Sequence, residues 1–217
     1  SLVNPEIIGY AKKECEVHNS AYMSLEDVIE VMEEAEGKGL MTVRLHTGDP
    51  SLYGAIREQM DLLKEKNIKY DICPGVSSFS GAAASLGIEY TLPNVSQSVI
   101  ITRAEGRPPV PEKERLYKMA EHNATMVLFL SSGMAEKVKK NLIKGGYELS
   151  TPVAVVYKAT WDDEKIINST IENFCEDMKK ENINKTALII VGNVLGQKYE
   201  RSKLYDPHFT TGYRKGI

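Results

Sequence analysis

Three shortages come first: cysteine is rare, positive charge is not in excess, and no apolar run is long. Cys15, Cys73 and Cys175 are three in number and far apart along 217 residues. None belongs to the close pairs that zinc or redox motifs use, so they read as reduced thiols of a cytoplasmic protein. His18, His122 and His208 are equally scattered, and no metal site is expected. No stretch approaches the roughly twenty apolar residues of a membrane helix, and the first residues lack a charged-then-apolar leader. Charged residues make up 26% of the chain and the net charge is −3. A nucleic-acid reader more often carries a basic excess or stripe. Neither membrane nor nucleic acid is therefore an expected partner, and no hydrolytic triad can be assembled.

What is present suffices for one large domain or two small ones, each with its own core. The organising stretch is residues 41–55, Met-Thr-Val-Arg-Leu-His-Thr-Gly-Asp-Pro-Ser-Leu-Tyr-Gly-Ala. Val43 and Leu45 alternate with Arg44 and His46 at the period of a half-buried strand. Gly48 ends the run, Asp49 is placed to cap a helix, and Pro50 suits the first helical position. The helix then runs from 51 to about 66, with Ile56 and Met60 on its apolar face. A strand feeding a helix N-terminus leaves free backbone donors where ligands of open α/β sheets bind. Alone, Gly-Asp-Pro reads equally as a well-made turn that binds nothing, and His46 as an imidazole that packs or bonds locally.

Along the rest of the chain, Leu25, Val28, Ile29, Met32 and Ala35 have helical spacing. Ser24 and Asp27 stand as a capping box, and Gly37 and Gly39 end the run. A strand at 69–73, Pro74-Gly75 and a small-residue helix at 77–86 complete a β-α-β-α first part with a parallel sheet pattern. The segment 91–94, Thr-Leu-Pro-Asn, reads as a linker. Beyond it come strands at 98–102, 125–130, 153–157, 164–168 and 187–191. Helices are expected at 112–122, after Gly133 and at 171–180. The domains expected are thus 1–94 and 95–195, both α/β, with a polar tail at 196–217.

Four polar or Gly-rich turns each follow an expected strand: 47–50, 74–78, 130–132 and 157–160. Were the strands parallel, all four would lie at the carboxyl ends of one layer, where a ligand could meet several of them. A fifth candidate is the proline-rich loop 102–111, Thr-Arg-Ala-Glu-Gly-Arg-Pro-Pro-Val-Pro. It reads either as a surface linker or as a clamp in which Arg103 and Arg107 pair with ligand carboxylates.

These segments, His-Thr-Gly-Asp-Pro-Ser-Leu-Tyr-Gly-Ala, Cys-Pro-Gly-Val-Ser-Ser, Ile-Thr-Arg-Ala-Glu-Gly-Arg-Pro-Pro-Val-Pro, Leu-Phe-Leu-Ser-Ser and Val-Val-Tyr-Lys-Ala-Thr-Trp, stand in one order. Together they resemble the tetrapyrrole methylases of cobalamin biosynthesis, over residues 1 to about 195. Thr-Arg-Ala-Glu-Gly-Arg and Tyr-Lys-Ala-Thr-Trp look most like the branch that methylates C11 of precorrin-4 or its cobalt form. The resemblance implies two α/β domains with S-adenosylmethionine in the cleft between them, a tetrapyrrole in an adjoining trough, and a homodimer. It further implies that Thr47, Gly48, Asp49, Ser77, Ser78, Leu130 and Ala159 contact the cofactor. The family begins with a strand and a Gly-x-Gly-Pro-Gly-Asp-Pro loop that would precede Ser1 by roughly thirty residues, about one βαβ unit. A tetrapyrrole carries several carboxylates, so Arg103, Arg107 and Lys158 are the expected substrate cations. Two other readings are a ribosomal RNA methylase of the same fold and a non-catalytic cofactor-binding remnant.

Overall fold

Ser24 starts the first regular helix as its spacing predicts. Its hydroxyl accepts from the backbone N–H of Asp27 at 3.2 Å, and the Asp27 carboxylate accepts from the Ser24 N–H at 2.8 Å. That reciprocal cap satisfies donors the helix leaves unpaired, and it holds the Asp27 carboxyl below its ordinary range, chiefly through the Ser24 N–H. The computed structural model describes residues 3–196 and 198–217, which divide into two compact units, Ser1–Ser78 and Phe79–Ile217.

In the first unit, α1 (Leu25–Gly37) packs on α2 (Ile56–Glu65). Ile29, Met32 and Leu63 are buried, with Leu25, Val28, Leu62 and Ile68 against them. Two expectations fail here. Residues 41–46 and 69–73 form no strand. A strand needs a neighbour for its N–H and C=O groups, and among the described residues neither segment has a ladder partner. Val43 is accordingly 71% exposed and Ile72 52%. The second failure is the start of α2, which lies at Ile56 because Tyr53 and Ala55 take positive φ angles of 57° and 50° in a turn. Asp49 therefore caps a turn, and Pro50 sits outside the helix.

The second unit is built on a five-stranded sheet. Its strands are β1 (Val99–Arg103), β2 (Thr125–Phe129), β3 (Pro152–Tyr157), β4 (Lys165–Thr170) and β5 (Ala187–Val191), in the spatial order β1-β2-β5-β3-β4. β1 and β2 are parallel, and β5 is antiparallel to both β2 and β3. β1, β2 and β3 thus run one way, β4 and β5 the other. Alternate residues face opposite layers. Met126, Leu128, Val155 and Ile189 join the core made with α4 (Leu116–Ala120), α5 (Ala135–Lys144) and α6 (Phe174–Lys180). Val127, Ala154, Val156 and Ile190 join the opposite one, with Ala82 of α3 (Ser78–Leu86) and Tyr90. Burial on both faces explains why β2, β3 and β5 read as near-continuous apolar runs.

The chain divides between the two units at 78/79 rather than near residue 95. Ala82 is fully buried against the sheet, and the Tyr90 hydroxyl donates to the Phe79 carbonyl at 2.7 Å. The Thr125 hydroxyl in turn donates to the Tyr90 carbonyl at 2.8 Å, fixing the 79–96 segment to β2. The expected helix at 112–122 shrinks to α4, preceded by a 3-10 turn at Glu112–Glu114. The tail beyond β5 leaves the sheet at the edge where β1, β2 and β3 begin, because β5 runs against them.

Candidate active site

In the first unit, the turns at 47–51 and 74–78 come together. The Asp49 carboxylate accepts from the Gly75 N–H at 2.8 Å with one oxygen and from the Ser51 N–H at 2.9 Å with the other, which also takes the Ser51 hydroxyl. These donors, the Ser51 hydroxyl first, hold the Asp49 carboxyl below its ordinary range. Gly48 has φ +67°, and a Cβ there would lie 3.0 Å from the Ser78 nitrogen and 3.2 Å from the Ser77 Cα. A Cβ on Gly75 would lie 2.1 Å from the Gly48 carbonyl oxygen. The glycines at these turns are thus required by the approach of one loop to the other. Thr47 is exposed, Ser78 half-buried and Ser77 buried. Ser78 opens α3, whose first N–H groups have no intrahelical partner. His46, half-buried beside this turn, favours its neutral form through desolvation and the nearby Arg44.

In the second unit, the shared direction of β1, β2 and β3 brings the loops 103–107, 130–134 and 158–160 to one edge of the sheet. Leu130 carries φ +51° and is 61% exposed, a combination rarely taken by a bulky residue. The next residue holds it there. Ser131 is fully buried, accepts from the Ala104 N–H at 2.8 Å and donates to the Phe129 carbonyl at 2.6 Å, pinning the β1 and β2 loops together. A hollow of about 480 Å³ lies beside them, lined by Arg103, Ala104, Gly106, Arg107, Pro108, Leu130 and Met134.

The three expected cations differ. Arg103 donates to the Pro108 carbonyl at 3.2 Å and to that of Pro109 at 2.9 Å. Lys158 is paired with Asp163 and lies 5.2 and 4.9 Å from the Tyr157 and Trp161 ring centroids. The pairing with Asp163 raises its pKa. Arg107 is exposed, and among the described residues no hydrogen bond or ion pair engages its side chain. Ala159 and Lys158 follow β3, which β5 separates from β2, so they do not line the hollow. Met134, Gly106 and the Ser131 staple went unnoticed in the sequence. Ser131-Ser132 after an apolar strand was the one available sign of the staple. Among the described residues no group of three His, Cys, Asp or Glu could hold a metal, and no helix is long and apolar enough to cross a membrane.

The family model for tetrapyrrole (corrin/porphyrin) methylases matches residues 2–175. The cobalt-precorrin-4 C(11)-methyltransferase of Methanocaldococcus jannaschii is 57% identical over 216 residues, covering 99% of this chain and 83% of that protein. A solved structure of a cobalamin biosynthetic enzyme, cobalt precorrin-4 methyltransferase, matches with a TM-score of 0.88 at 47% identity, covering 91% of this chain and 82% of the other. Uroporphyrin-III C-methyltransferase of Thermus thermophilus, solved in complex with S-adenyl homocysteine, shares the fold at a TM-score of 0.65 and 22% identity, covering 78% of this chain and 74% of that one.

Proposed function

The chain belongs to the tetrapyrrole (corrin/porphyrin) methylase family, and from that premise we propose that it methylates C11 of cobalt-precorrin-4 in cobalamin biosynthesis, with S-adenosylmethionine as donor. The observation that carries this reading is 57% identity over 99% of the chain to a relative of that activity. The donor supplies a methyl group on a sulfonium, already electrophilic enough that no protein nucleophile is required. What the protein must do is orient, hold and exclude water.

The donor set fits such a cofactor. Thr47, Ser77 and Ser78 offer small hydroxyls, and the start of α3 offers unpaired N–H groups, which suit a carboxylate and ribose hydroxyls. On the family resemblance we assign cofactor contacts to Thr47, Gly48, Asp49, Ser77, Ser78, Leu130 and Ala159. For Asp49 the contact is indirect, since its carboxylate is occupied in shaping the turn. Of the cations Arg103, Arg107 and Lys158 expected at the substrate carboxylates, Arg103 and Lys158 are engaged within the protein, and their separate roles are taken up below. A homodimer in the cytoplasm is part of the same reading. It rests on the family resemblance and on three free thiols, and light scattering checks the assembly.

The decisive experiment is anaerobic incubation of the protein with S-adenosylmethionine and cobalt-precorrin-4, followed by mass spectrometry of the pigment. The expected product carries one added methyl group, placed at C11 by NMR. Cofactor binding without any methylated pigment would overturn the reading, and methylation of precorrin-4 in preference would overturn the choice of the cobalt form.

A further inference from the structure

The loop after β1 has an unusual hydrogen-bond economy. Between residues 104 and 110 no backbone–backbone bond is made among the described residues, and Pro108 and Pro109 have no N–H to offer. The loop is instead pinned by side chains from three sides. Ser131 takes the Ala104 N–H at 2.8 Å, Lys137 donates to the Glu105 carbonyl at 2.6 Å, and Arg103 donates to the carbonyls of Pro108 and Pro109. Gly106 and Arg107 lie between these pins and line the hollow with Leu130 and Met134.

We propose that Arg107 alone of the three candidate cations anchors a substrate carboxylate, and that Arg103 is a positioning residue whose guanidinium holds the loop so that Arg107 stands at the hollow. The inference rests on the reading of the substrate as a carboxylate-bearing tetrapyrrole. Arg103 directs both terminal nitrogens at two carbonyls of its own loop, and turning it to a ligand would break both bonds. Lys158 is neutralised by Asp163. Arg107 has a planar fork without a partner, on a loop whose ends are already ordered, so little entropy is lost when a carboxylate binds.

The test uses the full chain, with steady-state kinetics, binding of a polycarboxylated porphyrin, uroporphyrin III, and hydrogen exchange of the loop amides. Arg107→Ala should raise the tetrapyrrole KM and weaken porphyrin binding by roughly tenfold or more, the loss of a charge-assisted hydrogen bond, with exchange at Ala104 and cofactor affinity unchanged. Arg103→Ala should also weaken the tetrapyrrole but speed exchange at Ala104, whose N–H is the bonded one in this loop. Arg103→Lys should recover part of both. The double variant should be no worse than Arg107→Ala, because Arg103 acts through Arg107. Losses that multiply in the double variant, or an Arg103→Ala defect with loop exchange unchanged, would assign Arg103 to the substrate directly and overturn the proposal. So would wild-type affinity in Arg107→Ala. A wild type that binds porphyrin yet methylates nothing would overturn the functional reading instead, while the binding and exchange arms still decide the two arginine roles.

Discussion

The two units carry candidate ligand contacts on different supports. In the second, the loops spring from the ends of strands buried on both faces, with Met126, Val127 and Leu128 fully enclosed. In the first, two turns are joined chiefly by one carboxylate, Met41 and Val43 are exposed, and the core has three buried residues, Ile29, Met32 and Leu63. A loop on a rigid sheet keeps its geometry through packing. A loop on a small core keeps it through specific hydrogen bonds, so point changes should act differently in the two places.

The largest effect is expected in the second unit's core. Phe174 is fully buried where α6 meets the sheet, and Phe174→Ala should cost about 3–5 kcal/mol in urea unfolding. Leu63→Ala in the first unit should cost about 2 kcal/mol, the low end for such a truncation, with faster hydrogen exchange confined to α1 and α2. Equal losses, or exchange spreading into the sheet, would erase the distinction between the units.

Gly75→Ala comes next and acts on the joint between the two turns. Its Cβ would stand 2.1 Å from the Gly48 carbonyl oxygen, a backbone atom that cannot swing aside. The turns must part and the 2.8 Å bond to Asp49 is lost. Cofactor affinity should fall roughly tenfold to a hundredfold, and the lost hydrogen bond to a charged group should cost about 1.5–3 kcal/mol of stability as well. Calorimetry that finds unchanged affinity would remove this pair of turns from the site. Gly48→Leu tests the same approach from the other turn. Its side chain would press on the Ser77–Ser78 backbone, so it too should loosen the pair.

These cases show which parts of the molecule were legible in advance. β5 falls on the residues its apolar run predicted, and the Ser24–Asp27 box needed only local spacing. The strands expected at 41–46 and 69–73 failed because a ladder depends on a neighbour that alternation cannot report. The carboxyl-end edge was legible only conditionally. The sheet is mixed, yet β1, β2 and β3 share a direction and still gather three of the loops. The positive φ of Leu130 had no sign at all, since nothing in a Phe-Leu-Ser-Ser string distinguishes it from ordinary extended chain. The division of labour between Arg103 and Arg107 likewise depends on where two proline carbonyls fall.

Ser131→Ala tests whether packing alone holds the second unit's loops. The change removes an acceptor from the Ala104 N–H and a donor from the Phe129 carbonyl, and Ala104 is only 1% exposed, so water cannot easily replace the lost partner. The cost should be about 1–3 kcal/mol, with faster exchange at Ala104. A neutral result would mean that the sheet fixes these loops without the staple.

The smallest effect is expected from acid, and it sharpens the comparison most directly because the turn pair of the first unit depends on a charge. Asp49 accepts from Ser51 and Gly75 and its carboxyl is held below the ordinary value of 3.8. A group whose folded pKa is depressed contributes stability above its unfolded value and loses it as pH falls through the folded one. The turn pair should therefore be indifferent to pH from neutrality down to about 4 and loosen only below it. The readout is hydrogen exchange at Ser51 and Gly75, compared with Val127 in the sheet. Asp49→Asn supplies the control. Asn offers one acceptor oxygen where the carboxylate offers two, so its amide N–H groups would face either the Gly75 or the Ser51 donor. The variant should exchange faster at one of the two positions at neutral pH and should lose the acid dependence. If it instead keeps wild-type protection, or if Gly75 stays protected in acid as well as Val127 does, packing rather than the carboxylate holds the two turns together.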